Sequence, residues 1–162
     1  MKAGENLFDK YHQWKKDRIT LAFELSRFEG VSTDEVIESM CLSRPQDERV
    51  QTSGVSDRTG KTAVYYRKVA ESMNDDWYDY TFRKYQYVKE EIEFFEYAVS
   101  RLSGRLPEVI RDMVVNGMQW KEAAAKYAVS EAMLTKYRRK ALSELAALYE
   151  GRAKHTEEYL LS

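Results

Sequence analysis

The sequence predicts an all-α protein, with an N-terminal hairpin of long helices of the kind that forms coiled coils and a C-terminal helix-turn-helix domain. Only 7 Gly and 2 Pro occur in 162 residues, and 33% of the residues are charged, which favours long helices over tight turns. Apolar residues recur at spacings of three and four, the period of an amphipathic helix. The single cysteine, Cys41, cannot form an internal disulfide, and no apolar run approaches the roughly 18 residues of a membrane span. We therefore expect a cytoplasmic protein.

The first predicted helix covers residues 5–28. Its apolar stripe steps by threes and fours or by their sums, with Arg18 interrupting it, and consists of Leu7, Tyr11, Trp14, Leu21, Leu25 and Phe28. Gly30 is placed to end the helix, and residues 34–40 can add one or two helical turns. Residues 41–61 are rich in Ser, Arg, Asp and Gly, so we predict a polar loop of about twenty residues there.

A second long helix is predicted over residues 62–102. Its apolar positions repeat at the same spacing, and Asn74-Asp75-Asp76 is a predicted interruption because Asp and Asn prefer helix caps. The two long helices should pack antiparallel, which makes residues 1–101 a helical hairpin for oligomerisation or for contact with a polymerase. The apolar stripes at 7–28 and 88–102 predict a homodimer.

Residues 102–150 carry the pattern of three short helices. Pro107 suits a first helical turn, and Asn116-Gly117 ends a helix whose inner face would be Leu106, Val109, Ile110, Met113 and Val114. A second helix is predicted over residues 119–127, burying Trp120, Ala123 and Ala124.

Ser130 is a good N-cap for a third predicted helix, which covers residues 131–148 and is followed by a tail at 151–162. Its inner face would consist of Leu134, Tyr137, Ala141, Leu142 and Leu145.

The other face of the third helix suits DNA. Glu131, Ala132 and Thr135 are short or polar and could touch base edges, whereas the neighbouring basic residues could contact phosphates. The predicted DNA-binding residues are Ser130, Glu131, Ala132, Thr135, Lys136, Arg138, Arg139 and Lys140.

The charge distribution agrees with this placement. The net charge is −1, but residues 1–100 hold 15 Lys and Arg against 19 Asp and Glu, whereas residues 101–162 hold 11 against 8. Four of those bases fall between residues 136 and 140. A local basic face is what phosphate contact requires. A charged, solvated face on an ordinary three-helix bundle would give the same pattern.

The C-terminal third resembles region 4 of bacterial sigma factors. It is more similar to the sigma-like late transcriptional regulators of phages in Gram-positive bacteria, the ArpU and late-activator type. The matching residues are 106–110, 116–124, 129–130, 134 and 138–142, and the polar residues 50–57 occupy the place of that family's Ser-Gly segment. The resemblance implies a DNA-binding transcription regulator that acts with RNA polymerase, in some cases together with a sigma factor, in the bacterial host cell.

Two departures from the family are visible. Glu122-Ala123-Ala124 replaces its usual Glu-Ile-Ala, and Met133-Leu134 replaces a Thr-Val pair, which removes one hydroxyl at Met133. Sigma region 2 is not recognisable in residues 1–100. Its absence favours an activator over a complete sigma factor.

The sequence gives weaker support for a catalytic, cofactor or metal site than for DNA binding. Gly60-Lys61-Thr62 matches the end of a phosphate-binding loop, but the glycine required at position 55 is Val55. Cys41, His12 and His155 have no ligand or dyad spacing. We therefore expect neither an enzyme nor a cofactor or metal site.

Two other classes of function stay open. One is a small-terminase-like DNA-packaging adaptor, although such adaptors usually carry their DNA-binding part at the N-terminus. The other is a protein that binds RNA polymerase or a sigma factor without touching DNA.

Overall fold

The computed structural model describes residues 6–30, 32–42 and 57–162, and it confirms the all-α prediction for them. Their regular structure is helical throughout. The helices are α1 (Leu7–Ser26), α2 (Thr33–Leu42), α3 (Asp57–Ser100), α4 (Leu106–Ile110) with its π-helical continuation π1 (Arg111–Val115), α5 (Trp120–Tyr127) and α6 (Glu131–Leu161). In this part of the chain, no helix has the length and apolar character needed to cross a membrane.

The chain divides into two compact units. Among the described residues, unit 1 comprises 6–18 and 87–162, and unit 2 comprises those that lie between 19 and 86. The chain passes between the units within α1 and α3, so the division differs from the boundary predicted between residues 101 and 102. Each unit therefore contains a piece of both long helices.

In unit 1, the start of α1 packs on the end of α3. Asn6 caps α1, because its side-chain oxygen accepts hydrogen bonds from the backbone N–H groups of Phe8 and Asp9 at 2.9 and 3.1 Å. The Tyr11 ring stacks on Phe95 with centroids 4.4 Å apart, and both residues are buried. The Tyr11 hydroxyl donates to Glu96 at 2.8 Å. Burial, and then this carboxylate, raise the pKa of Tyr11.

In unit 2, the end of α1 runs antiparallel to the adjacent part of α3. Phe28 stacks on Trp77 with centroids 4.8 Å apart, and a Cβ at Gly30 would lie 2.9 Å from the Asn74 side chain. Gly30 has a φ of +80°, a conformation that glycine adopts without strain, but α1 already ends at Ser26, so Gly30 lies in the connection after the helix and is not its predicted stop.

A short capped helix, α2, follows in unit 2. The Ser32 backbone N–H donates to Glu35 at 2.8 Å, and the Glu35 N–H donates to the Ser32 hydroxyl at 3.2 Å, which is a reciprocal capping box. Val36 is buried. The predicted turns at 34–40 therefore form a helix of ten residues.

Helix α3 corrects two expectations. It is unbroken over 44 residues, so Asn74-Asp75-Asp76 does not interrupt it. The predicted loop at 41–61 is also shorter, because residues 41–42 end α2 and residues 57–61 begin α3, while residues 43–56 lie outside the described part. The physical reason is that extending a formed helix adds one hydrogen bond per residue, which outweighs the weak preference of Asp and Asn for other conformations.

Helix α6 continues through the segment predicted as a tail. Residues 151–161 are helical although Gly151 stands inside the helix, where glycine costs about 1 kcal/mol relative to alanine. The next residue is fixed by α3: the Arg152 guanidinium donates to Glu91 at 2.8 Å and lies 4.3 Å from the Phe94 ring centroid. These contacts favour continuation of the helix past Gly151.

Candidate nucleic-acid interface

The candidate site is built on three helical segments of unit 1, of which α4 and π1 form the first. Pro107 stands in the first turn, and Gly117, with a φ of +72°, follows the end of π1. The five residues predicted for the inner face are all buried: Leu106, Val109, Ile110, Met113 and Val114. The prediction for this segment is confirmed, except that its second half is π-helical.

The second segment, α5, begins one residue later than predicted. The Gln119 backbone N–H donates to the Glu122 carboxylate at 3.3 Å, which satisfies a donor at the helix start. Ala123 is fully buried and Ala124 is half-buried, as the close approach of neighbouring helices requires. The predicted burial of Trp120 is wrong, because this residue is 39% exposed.

A tight connection joins α5 to α6. Ala128 adopts the left-handed conformation (φ 52°, ψ 47°), and the Val129 N–H donates to the Ala124 carbonyl at 3.0 Å. Ser130 is the N-cap of α6 as predicted, since its hydroxyl oxygen accepts from the Met133 N–H at 3.2 Å. The start of α6 is therefore held by the tight connection before it and by the Ser130 cap within it.

The inner face of α6 holds it against α4 and α5. Leu134, Ala141 and Leu145 are fully buried, and Tyr137 and Leu142 are half-buried. This is the predicted inner set. Since its spacing defines one side of the helix, the opposite side is left for contact with other molecules.

Two carboxylates outside the apolar core link the three segments to their neighbours by hydrogen bonds, and we call them the fastening carboxylates. Asp112 on π1 accepts hydrogen bonds from Lys126 and Tyr127 on α5, and from Asn116 at 3.2 Å. The hydrogen bonds from Lys126 and then Tyr127 hold the pKa of Asp112 below its usual value. Burial, and then the Asp112 carboxylate, raise the pKa of Tyr127.

The second fastening carboxylate is Glu144 on α6. It accepts from the Ser103 hydroxyl at 2.6 Å and from the Ser103 backbone N–H at 2.9 Å, which links α6 to the turn between α3 and α4. These bonds from Ser103 lower the pKa of Glu144. The sequence analysis missed both Asp112 and Glu144, because the bonds that link them to other segments come from residues 14 to 41 positions away.

The exposed side of α6 carries most of the predicted DNA-binding residues. Ala132, Thr135, Lys136 and Arg139 are exposed and follow one another at spacings of three, one and three residues, so they share one side of the helix. The Thr135 hydroxyl donates to the Glu131 carbonyl at 3.1 Å, and the residue is exposed. This side therefore combines small residues with two cations.

Three predicted residues lie at the margins of this surface. Ser130 and Glu131 are exposed in the first turn, where the Ser130 hydroxyl is engaged as the cap. Lys140 is exposed and lies 3.7 Å from Glu144, an ion pair within the helix. An exposed pair of this kind contributes little and leaves the ammonium group accessible.

Arg138 differs from the other predicted phosphate contacts. Its guanidinium lies 4.6 Å from the Phe8 ring centroid and 5.4 Å from that of Trp120, and the residue is half-buried. Burial lowers the pKa of this guanidinium. The side chain points away from the side that carries Lys136 and Arg139. The prediction that Arg138 faces outward with the other cations is therefore wrong. The sequence could not reveal this, because Phe8 is 130 positions away.

Comparison of the chain with models of known protein families, with curated proteins and with solved structures returns no match.

Proposed function

We propose that this protein is a sequence-specific DNA-binding transcription regulator that presents the first part of α6 to the major groove. The observation that supports this most is the two-sided character of residues 130–145. One side is fully buried at Leu134, Ala141 and Leu145, while the other exposes small side chains together with Lys136 and Arg139. A recognition helix needs this combination, because it must be held rigidly from behind and approach the base edges closely in front.

Each exposed side chain has a role in the proposal. Ala132 and the methyl group of Thr135 suit thymine methyl groups, and Glu131 can accept a hydrogen bond from cytosine. Lys136, Arg139 and Lys140 contact phosphates, which fixes the register of the helix without selecting a base sequence.

The biological setting follows from the resemblance given above. We propose that the regulator activates late genes of a phage by acting with host RNA polymerase, in the bacterial cytoplasm. The absence of a recognisable sigma region 2 supports an activator that works beside a host sigma factor.

The salt dependence of DNA binding tests the assignment. Each phosphate contact adds about 0.9 to the slope of log affinity against log salt. Lys136→Ala and Arg139→Ala should each lower that slope by about one, measured by fluorescence anisotropy with a labelled duplex. Arg138→Ala is the matched control, since it removes the same charge from the adjacent position and should leave the slope unchanged. Equal slopes for the wild type and all three variants would refute the proposed surface.

Sequence preference is tested separately. Selection from a random duplex library should yield one preferred site for the wild type, and Thr135→Ala or Glu131→Ala should change the preferred base at individual positions. Binding that shows no preference at physiological salt would reject sequence-specific recognition.

Run-off transcription separates an activator from a sigma factor. With a promoter that contains the selected site, we expect a transcript only when core polymerase, host sigma factor and this protein are all present. A transcript without host sigma would make the protein a sigma factor. Polymerase binding without any DNA affinity would support the alternative of a polymerase-binding protein.

A further inference from the structure

Unit 2 exposes a row of large apolar side chains on one side of its two long helices. Ile19 and Phe23 on α1 are 69% and 61% exposed, and Met73, Trp77 and Tyr80 on α3 are 49%, 40% and 67% exposed. We call these five residues the unit-2 apolar face. Soluble proteins normally cover side chains of this size, and larger exposed patches mark interaction sites.

The five side chains belong to one continuous surface. Phe23, Met73 and Trp77 line the same shallow cavity of about 480 Å³. Ile19 precedes Phe23 by one helical turn, and Tyr80 follows Trp77 by three residues, so each extends the same side of its helix. The surface therefore spans both helices.

The size of this face approaches what a stable dimer needs. An aromatic side chain carries about 150–250 Å² of surface, so the exposed parts of Phe23, Trp77 and Tyr80 alone come to roughly 250–400 Å². Ile19 and Met73 add to that area. A specific interface buries about 800 Å² per partner, of which the centre is apolar and the rim polar. The apolar face supplies such a centre.

We propose that the unit-2 apolar face binds the same face of a second copy of this chain, so that two antiparallel helix pairs form a four-helix bundle. A two-fold axis parallel to the helices would place α1 of one copy opposite α3 of its partner. Each helix pair would then cover the exposed row of the other, as in bundles with knobs-into-holes packing.

The charges along the rim are mixed on the α1 side and acidic on the α3 side. The α1 side carries Arg27 together with Glu24 and Glu29, which line the same cavity. The α3 side is flanked by Asp76 and Asp79. Opposing α1 to α3 brings Arg27 of each copy toward Asp76 and Asp79 of the other, a pairing that charge-reversal variants test.

This surface is not the one that the sequence pattern indicated for a homodimer. The apolar stripe at 88–102 is buried within unit 1, since Val88, Ile92, Phe95, Val99 and Leu102 are at most 6% exposed. A dimer built on that stripe would require unit 1 to open. The exposed residues of unit 2 need no such change.

Sedimentation equilibrium of the full chain tests the proposal with a matched pair of variants. Tyr80 and Phe82 stand two residues apart on α3, which places them about 200° apart around the helix. We expect a wild-type dimer at micromolar concentration, a dissociation constant raised about 30-fold or more by Tyr80→Glu, and a change of less than about threefold for Phe82→Glu. Circular dichroism should show the same helix content for all three chains.

Several outcomes would overturn the proposal. These are a wild-type monomer at high micromolar concentration, an assembly larger than a dimer, or equal effects of Tyr80→Glu and Phe82→Glu. A monomeric wild type that binds RNA polymerase, and loses that binding in Tyr80→Glu, would assign the face to the polymerase instead.

Complementary charge reversals test the orientation. Arg27→Glu and the double variant Asp76→Lys, Asp79→Lys should each weaken self-association, and a mixture of the two chains should form a mixed dimer more readily than either forms its own. If the two variants associate as well as the wild type, α1 does not face α3 of the partner.

Dimerisation also bears on the DNA site, and this part rests on the proposed function. Two copies carry two α6 helices, so the operator should contain two related half-sites. Sedimentation without DNA tests the dimer alone. If the chain dimerises but Lys136→Ala and Arg139→Ala leave DNA binding unchanged, only the proposed function fails. If the Tyr80→Glu variant binds half-site and full-site duplexes with the same affinity, while the wild type binds the full-site duplex more tightly, both proposals stand.

Discussion

The three C-terminal segments and unit 2 place their large apolar side chains differently. Between residues 106 and 145 most large aliphatic side chains are buried or half-buried, and Val109, Ile110, Leu134 and Leu145 are completely buried. In unit 2 the side chains of Ile19, Phe23 and Tyr80 are more than half exposed. Short helices crossing one another enclose a core, whereas two long helices side by side can cover only one stripe of each other.

The difference indicates where each region obtains its stability. The C-terminal segments have their own core, capped helix ends and two fastening carboxylates, so they need no partner to bury their apolar face. Unit 2 leaves large apolar side chains exposed, and the proposed dimer would cover them. The following predictions test this contrast, beginning with the largest expected effect.

Truncation of a core side chain should separate the two regions most strongly. Leu134→Ala removes a fully buried side chain and should lower the free energy of unfolding by about 2–5 kcal/mol. Phe23→Ala should change the stability of a monomeric background such as Tyr80→Glu by no more than about 0.5 kcal/mol. Urea unfolding followed by circular dichroism measures both. A large loss for Phe23→Ala would mean that this side chain is covered within the monomer.

Removal of the Asp112 carboxylate should have an intermediate effect that depends on pH. The pKa of Asp112 is lowered in the folded state, so its contribution is present above the unfolded pKa of about 3.9 and is lost as the pH falls through the folded pKa. Asp112→Asn should lower the free energy of unfolding by about 1–2 kcal/mol at pH 7 and by less below pH 3.

Urea titrations across that pH range provide the measurement. Glu108→Gln, at an exposed acidic residue on the neighbouring α4, is the control and should alter stability little. A stability loss in Asp112→Asn that did not shrink on acidification would contradict the assigned charge-dependent hydrogen bonds.

The adjacent arginines of α6 should differ in what they affect. Arg138→Gln removes a guanidinium that lies over two aromatic rings and should lower stability by about 0.5–1 kcal/mol. Arg139→Gln should leave stability unchanged within error, because Arg139 is exposed. Thermal unfolding of both variants measures the difference. A larger loss of stability in Arg139→Gln than in Arg138→Gln would exchange the roles assigned to the two arginines.

The smallest effect is expected at the turn before α6. Ala128 has a φ of 52°, where a side chain costs about 1 kcal/mol relative to glycine, while glycine loses about 0.4–1 kcal/mol more entropy on folding. Ala128→Gly should therefore raise stability by no more than a few tenths of a kcal/mol. Ala125→Gly, in the middle of α5, should instead lower it by up to about 1 kcal/mol.

Local patterns in the sequence were sufficient for the helical elements of the candidate site. The period of the apolar residues predicted the inner faces at residues 106–114 and 134–145, and Ser130 and Gly117 marked helix ends. These features depend on neighbours within four residues, so a single sequence contains them. The same information yields the all-α class.

Contacts between distant residues were decided only by the tertiary structure. Phe8 and Trp120 enclose Arg138, Ser103 binds Glu144, and Glu91 holds Arg152 beyond the predicted end of α6. The exposure of Trp77 and Tyr80 likewise depends on which side of α3 the end of α1 covers. Periodicity shows that a helix has an apolar side, but only the packing of the helices determines whether that side is buried, engaged by a charged group, or left open for a partner.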